Sequence, residues 1–564
     1  ALFFLVPAAL ILRSSFGESA IGASGVSIDL SRLGLDRYRQ VFDGPLLSAF
    51  RNTLWISVVG TLACLVLALP VAYWLAIRAP RRVGAVLLAL LVLPYWISAL
   101  IRSLSLRILL APNGLVSGWL QDLGLLDEPL RLVGSRLGVL IGVIYNYLPL
   151  MVLPLYIAFR RLDPELRTAS RDLYGGKWAT LTGVTLPLVR PGVLAAVVLV
   201  FIPLAGDYVS ATVLGGAKGA MAGSLVVSQF LNARDWATGS ATAVVLTGLI
   251  LGTIAVAAIV EAGLRALAGL AGRVRVPAGL RNRGHGRSPR WATPLFALVC
   301  IAVALQYGPI LLAFGHTFTD ARAFTQWGGF TFENYPAAWQ DAQITRAVRN
   351  SFEVALASTA IAAVIGTFAG IVMGRRRGAP TVRALAVAAP LVLVTPEIVM
   401  AVAQLLWLST LGGPFDTGLF GVDAGALRMV VAHSVPGAAI VALLVQAVSA
   451  ASDVSVEEAA ADLGASEARI FADVTVRQLL PAILAGSFLA FSLSLDTTVV
   501  SSFLATVDTL TYPALLLAQV RNTVSPALAV GGLAITAFTL TSLTVAAGLF
   551  AKRSSMRRAL GGLR

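Results

Sequence analysis

A polar loop that occurs twice at one register, between long apolar runs, narrows the possible folds more than any other feature of this chain. The second copy, DVSVEEAAADLGASEARIFADVTVRQLLPAILAG, aligns with a first copy, DPELRTASRDLYGGKWATLTGVTLPLVRPGVLAA. Asp163 pairs with Asp453, Asp172 with Asp462, Val184 with Val474 and Pro191 with Pro481, each pair 290 positions apart. Such self-similarity marks an internal repeat, so the chain is expected to fold as two equivalent units.

The runs around the loops say what the units are. A membrane-crossing helix needs about 20 mainly apolar residues. The first half offers runs at 1–13, 54–78, 83–106, 136–159, 192–213 and 240–263, and the second at 292–314, 351–373, 384–411, 424–449, 482–503 and 528–550. With 57% hydrophobic and 13% charged residues, the chain is too apolar for a soluble protein. The expectation is an all-α polytopic membrane protein of two homologous six-span halves, about twelve transmembrane helices. The first domain is 1–263, a Gly/Arg-rich cytoplasmic linker is 264–291, and the second domain is 292–564. The short opening run is read as a truncated first span and not as a signal peptide, because no basic leader or small-residue cleavage site precedes it.

The net charge of +15 falls between alternate spans. Arg78, Arg81 and Arg82, Arg160 to Lys177, Arg265 to Arg290, Arg375 to Arg383, and Lys552 to Arg558 mark five basic segments. By the positive-inside rule these are cytoplasmic, which puts both repeat loops, 163–191 and 453–481, on the cytosolic side. The loops around 14–50, 107–135, 214–238 and 315–349 then face outward. This placement accounts for the excess arginine, so no nucleic-acid partner is expected.

Few residues carry reaction chemistry. Cys64 and Cys300 sit in apolar spans of different halves and read as inert packing thiols. His285, His316 and His433 offer no zinc spacing, so no metal site is expected. No GxxxxGK[ST] loop occurs, and Gly175-Gly176-Lys177-Trp178 lacks both its spacing and its hydroxyl. No cofactor and no catalytic residue is therefore assigned to this chain, and any ATP-driven work must come from a separate subunit. The repeated loop suits that role. Ala459, Ala460, Ala461 and Gly464 recur at helical intervals that admit a close-packed surface, with Glu457, Glu458 and Asp462 as polar handles. Gly464 is expected to end this helix. One such helix could equally lie on the membrane, but two copies on one side favour a two-fold partner.

On these residues the chain resembles the permease subunits of binding-protein-dependent ABC importers of the type I fold. Besides E-A-A-x-x-x-G, the first half carries LPYWISALIR, PNGLVSGWL and FIPLAGDYVSATVLGG, similar to the B-type permease of spermidine/putrescine importers. The second carries FTFENYPAAW, VTPEIVM, EEAAADLGAS and FSLSLDTTVV, similar to the matching C-type permease. Related permeases for ferric iron, thiamine, aminophosphonates and opines share much of the pattern. The resemblance implies a bacterial inner-membrane importer subunit. It also implies a homodimer of ABC nucleotide-binding subunits, holding ATP and Mg, on the cytoplasmic face and a solute-binding protein on the outer face. Each loop would be a coupling helix seated in one ATPase subunit, at Thr168, Ala169, Asp172, Tyr174 and Gly175 in the first copy and Glu457, Glu458, Ala459, Asp462 and Gly464 in the second. Thr168 and Tyr174 replace the signature Glu and Gly, and Val476-Arg477 replaces Leu186-Pro187, so unequal coupling by the two halves is expected.

Substrate chemistry must come from polar residues within the membrane. Asp207, Glu397 and Asp496 fall in apolar surroundings, where a carboxylate costs roughly 2.5–3.5 kcal/mol and usually faces a cavity or a partner. Three acids on one path suit a polyamine or similar small cation, with Trp96, Tyr145 and Tyr208 available for cation–π contact. Alternatively they pair with Arg102, Arg107 or Arg521, or cap helices broken at Pro203 and Pro396. The family's C-type pattern often has two adjacent acids where this chain has Asp496-Thr497. An ion-coupled secondary transporter using the same acids is the alternative of a different class.

Overall fold

The computed structural model describes residues 2–22, 25–31, 33–174, 180–270, 294–376, 378–520 and 524–542. Lipid offers no partners for backbone N–H and C=O groups, so the apolar runs fold as helices. Among the described residues nine are long and apolar enough to cross: Gly44–Arg78, Ala99–Asp122, Arg136–Arg160, Leu181–Ala205, Trp236–Gly263, Pro294–His316, Ala342–Arg375, Ala424–Ser449 and Glu467–Asp496. Pro380–Val394 and Glu397–Leu411, bent by 112°, make a tenth, broken crossing, and Leu2–Ser14 and Pro526–Ser542 are shorter apolar helices.

Four expected spans are not continuous. The run 83–106 divides into Arg81–Val92 and Ala99–Leu110 around a 3₁₀ turn at Leu93–Trp96, and 384–411 divides at Thr395 and Pro396. Pro396 supplies the physical reason at the second break, since proline lacks the N–H and pushes its predecessor, Thr395, into extended backbone (ψ 131). Leu93 instead stays helical before Pro94, and the first break falls after the turn, where Ile97 and Ser98 are extended (ψ 137 and 129). The runs 192–213 and 482–503 end as helices at Ala205 and Asp496, although apolar residues continue beyond. The linker also begins later than expected, because the helix from Trp236 runs to Leu270. Residues 271–291, with His285, lie outside the described residues.

Beyond Ala205 and Asp496 the chain turns back into the protein instead of forming only an outer loop. Ala211–Gly215 and Ala222–Asn232 in one half, and Val499–Leu504 and Tyr512–Val520 in the other, are short helical pieces buried in the core. Their freed backbone groups are met by a repeated side-chain pair. Asn52 Nδ2 donates to the Lys218 and Ala220 carbonyls (3.1 and 3.0 Å), and Thr53 Oγ1 accepts from Ala222 N (2.8 Å). In the second half Asn350 Nδ2 donates to the Asp508 and Leu510 carbonyls (3.0 and 3.1 Å), and Ser351 Oγ accepts from Tyr512 N (2.8 Å). The expected outer loop 214–238 is thus largely interior: Val226, Val227 and Phe230 are buried.

The two halves interlock through their first helices. Leu2–Ser14 lies on Glu397–Leu411, where Gln404 Nε2 donates to the Phe3 carbonyl (2.9 Å) and the Phe3 ring meets Trp407 edge-on at 4.5 Å. Pro294–His316 lies on the first half. There Gln306 Nε2 donates to the Tyr145 carbonyl (2.9 Å) and Tyr145 OH donates back to the Gln306 carbonyl (3.0 Å). The largest core forms at the seam, where Leu100, Tyr208 and Val226 meet Ile398, Val402, Leu504 and Leu516. Burying such a seam in lipid relies on packing and on satisfied polar groups more than on hydrophobicity. Cys64 is buried, but Cys300 is exposed on its span, so only the first is a packing thiol.

Candidate functional site

The three acids converge on the seam, each next to a place where a helix stops or starts. Asp207 follows the end of Leu181–Ala205; its carboxylate accepts from Ser210 N (2.9 Å) and Ser210 Oγ (2.6 Å), starting the next helical piece. Tyr147, whose hydroxyl donates to the Pro203 carbonyl (3.3 Å), stands beside it. Asp496, the last residue of its span, accepts from Ala99 N of the other half (3.2 Å) and from the Ser98 side chain. Glu397 opens its helix just after Pro396 and accepts from the backbone N–H groups of Val499 and Val500. A Cβ on Gly206 would lie 2.9 Å from the Pro396 Cβ, so only glycine lets the two breaks come this close.

Glu397 is solvent-exposed even though protein surrounds it, and Asp496, Tyr95 and Tyr147 are half-buried. The expected partner Arg102 is buried and spends its donors on carbonyls, Nε to Ile97 (2.9 Å) and Nη1 to Asn146 (3.0 Å), with its guanidinium 5.4 Å from the Tyr95 ring centre. Among the described residues no ion pair joins it to an acid. Arg107 donates to the Val520 carbonyl at 3.4 Å, and Arg521 lies outside the described residues.

The aromatic residues are placed differently from the sequence expectation. Tyr145 turns to Gln306 and Tyr208 is buried in the apolar core, while Trp96 is half-buried on the 3₁₀ turn. Tyr95 and Tyr147 stand by the acids instead. The tyrosine spacing Tyr145-x-Tyr147 was visible, but which of the two faces the seam depends on how the helix is rotated. His433, also buried, lies between Ser494 (Nδ1, 2.8 Å) and Ser501 (Nε2, 3.3 Å), and His316 meets the Phe324 carbonyl at 3.0 Å. Among the described residues no group of side chains is arranged for a metal.

In the two polar loops the repeat keeps its register in three dimensions. Both loops lead into a π-helical turn 290 positions apart, Leu181–Thr185 and Phe471–Thr475. Their helices end differently. Ser455–Asp462 stops in front of Gly464 at φ +82, with Ala465 N donating to the Ala460 carbonyl (3.1 Å) and Gly464 N to that of Ala461 (2.8 Å). This is the glycine-terminated Schellman arrangement. With Tyr174 in place of that glycine, the first helix runs on through Pro164–Tyr174.

Glu458, Ala459, Asp462 and Gly464 are exposed, as a docking face requires. Glu457 is not: it turns inward to a bidentate pair with Arg375, at 2.6 and 2.9 Å. The Arg375 hydrogen bonds hold its carboxyl below the usual glutamate range. In the first copy Thr168 is exposed with its hydroxyl on the Pro164 carbonyl (3.2 Å), and Ala169 is half-buried. The side chains of Asp172 and Tyr174, and all of Gly175, lie outside the described residues.

Residues 68–266 and 366–556 each match the family described as binding-protein-dependent transport system inner membrane component. The spermidine/putrescine transport system permease protein PotB of Escherichia coli (strain K12) is 37% identical over 246 residues, 44% of this chain and 88% of the relative. The putrescine transport system permease protein PotI of the same strain is 32% identical over 232 residues, 41% of this chain and 80% of the relative. Among solved structures, a bacterial ABC transporter involved in the import of the acidic polysaccharide alginate covers 46% of this chain and 90% of its own, at a TM-score of 0.40 and 16% identity.

Proposed function

Because the chain belongs to the binding-protein-dependent transport system inner membrane component family, as a type I ABC importer permease with both halves in one polypeptide, we propose that it imports a polyamine or similar small cation by ATP-driven alternating access. Permeases of this kind work with an ATPase and a solute-binding protein and sit in the membrane as multi-pass subunits. For this chain the partner is a homodimer of nucleotide-binding subunits that carries ATP and Mg. A solute-binding protein loads the outer face, and the membrane is the bacterial inner membrane.

The observation that carries the substrate reading is the meeting of Asp207, Glu397 and Asp496 at the seam, with Glu397 exposed. Three carboxylates held on a path between two lipid-embedded halves cost several kcal/mol unless a cation or a partner repays it. The Tyr95 and Tyr147 rings beside them suit an alkylammonium. Backbone N–H groups at the helix N-termini that the acids cap hold the carboxylates in place.

ATP binding draws the two coupling loops together through Glu458, Ala459, Asp462 and Gly464 on one side and Thr168, Ala169, Asp172, Tyr174 and Gly175 on the other. Differential binding of the partner to the two conformations supplies the bias. The test is uptake of labelled spermidine and putrescine by proteoliposomes holding the permease, its ATPase and its binding protein. ATP-dependent uptake of either supports the reading. Uptake of only ferric iron, thiamine, an aminophosphonate or an opine replaces the substrate, and uptake driven by an ion gradient without the ATPase overturns the class.

A further inference from the structure

Adjacent glutamates of the second coupling loop face opposite ways. Glu458 is exposed, where a partner subunit can reach it, while the Glu457 side chain is only 15% exposed. Glu457 meets two other elements at once. Arg375, the last residue of Ala342–Arg375, donates through Nη2 to Oε1 (2.6 Å) and through Nη1 to Oε2 (2.9 Å). Thr475 Oγ1, buried at the π-helical turn of the Glu467–Asp496 span, donates to the same Oε1 at 2.6 Å. One carboxylate therefore joins the loop to the cytoplasmic ends of two spans. Phe368 and Phe471 stack alongside, 5.9 Å apart and nearly parallel, holding those two spans in register.

An exposed ion pair would contribute little. This one is a two-pronged guanidinium–carboxylate fork with a third, buried donor, which fixes distance and angle together. Each span runs on as helix, rising about 1.5 Å per residue, from this contact toward the other end of the molecule. The Glu467–Asp496 span ends at Asp496, the acid that caps Ala99 across the seam. The Ala342–Arg375 span carries Asn350, which holds the inward-turning segment at Asp508 and Leu510. Displacement of the loop thus has a continuous helical route both to the pathway acids and to the outer end.

The first half is built otherwise. Position 167, the counterpart of Glu457, carries Arg, which cannot accept from an arginine. Thr185, the counterpart of Thr475, donates to the Thr180 carbonyl of its own turn at 3.1 Å.

We propose that Glu457, Arg375 and Thr475 form a strut that carries motion of the second coupling loop into the membrane, and that the first half lacks this strut. Glu457 is a positioning residue and not a contact for the ATPase. This rests on the importer reading above, so the experiment uses the assembled permease, ATPase and binding protein in proteoliposomes. It measures ATP hydrolysed per solute imported, alongside co-purification of the ATPase.

E457Q and T475V should keep the ATPase bound but raise ATP consumed per solute about fivefold or more, the lower end of ordinary coupling energies. The exchange E457R with R375E should bring the ratio back toward wild type, which a lost docking contact would not do. Loss of the ATPase from E457Q, or an unchanged ratio in both single variants, overturns the strut. If wild type shows no ATP-dependent uptake, the importer reading fails first, and the two failures are distinguishable.

Discussion

Single side chains decide how the two coupling loops end. Gly464 has φ +82, a left-handed conformation that costs a residue with a Cβ about 1–2 kcal/mol. Nothing lies within 4 Å of where its Cβ would be, so a substitution there disturbs conformation without a clash. Gly464→Ala is accordingly expected to loosen the end of the Ser455–Asp462 helix and to weaken retention of the ATPase by several fold, with the permease still folded. Retention measured against wild type in a pull-down checks this, and equal retention would show that the glycine matters only to the loop's own folding. Tyr174 already occupies the corresponding place in the first copy, and its helix is longer. That difference is the local basis for the unequal coupling expected from the sequence.

The inward-turning segments after Asp207 and Asp496 depend on a pair of residues about two turns inside a neighbouring helix. Without Asn350, the Asp508 and Leu510 carbonyls lose their donor. Leaving such groups unpaired costs about 1–3 kcal/mol where water cannot replace the partner. Asn350→Ala should lower the thermal midpoint and speed amide exchange in 508–512, while exchange in the coupling loop stays as in wild type. Asn52→Ala should do the same for 218–222 in the other half. Unaltered exchange in both segments would mean that packing alone holds them. The Arg-Asn-Thr and Arg-Asn-Ser strings at 51–53 and 349–351 were present in the sequence as a second repeat, 298 positions apart. They pass unnoticed because polar residues near a helix start look like ordinary interfacial ones.

Between the halves, the three acids meet at the seam. Asp207→Asn, Glu397→Gln and Asp496→Asn keep an oxygen that can accept the present hydrogen bonds while removing the charge. If the acids attract a cation, each variant lowers uptake with expression and ATPase binding intact, since losing an intramembrane charge reduces insertion cost. If they balance a buried arginine instead, the same changes leave Arg102 uncompensated, and stability falls by several kcal/mol. Uptake and thermal unfolding on the same three proteins separate the outcomes. Unchanged uptake of every candidate cation in all three would sink the cation path.

The repeat, the helical apolar runs and the family membership were legible in the chain because each rests on local spacing, hydropathy or motif. Hydropathy could not show that four runs break, since Leu, Val and Ala continue on both sides of Gly206 and of Thr497. What distinguishes a break is where its freed backbone groups find partners, and those come from distant residues. Asp496 accepts from Ala99, 397 positions away, and Glu457 pairs with Arg375, 82 positions away. Tyr95 in place of Trp96, and Tyr147 in place of Tyr145, were matters of helix rotation set by neighbouring helices. Which acids exist is written in the sequence; that they meet at one seam, each on the start of another helix, follows only from how the two halves interlock.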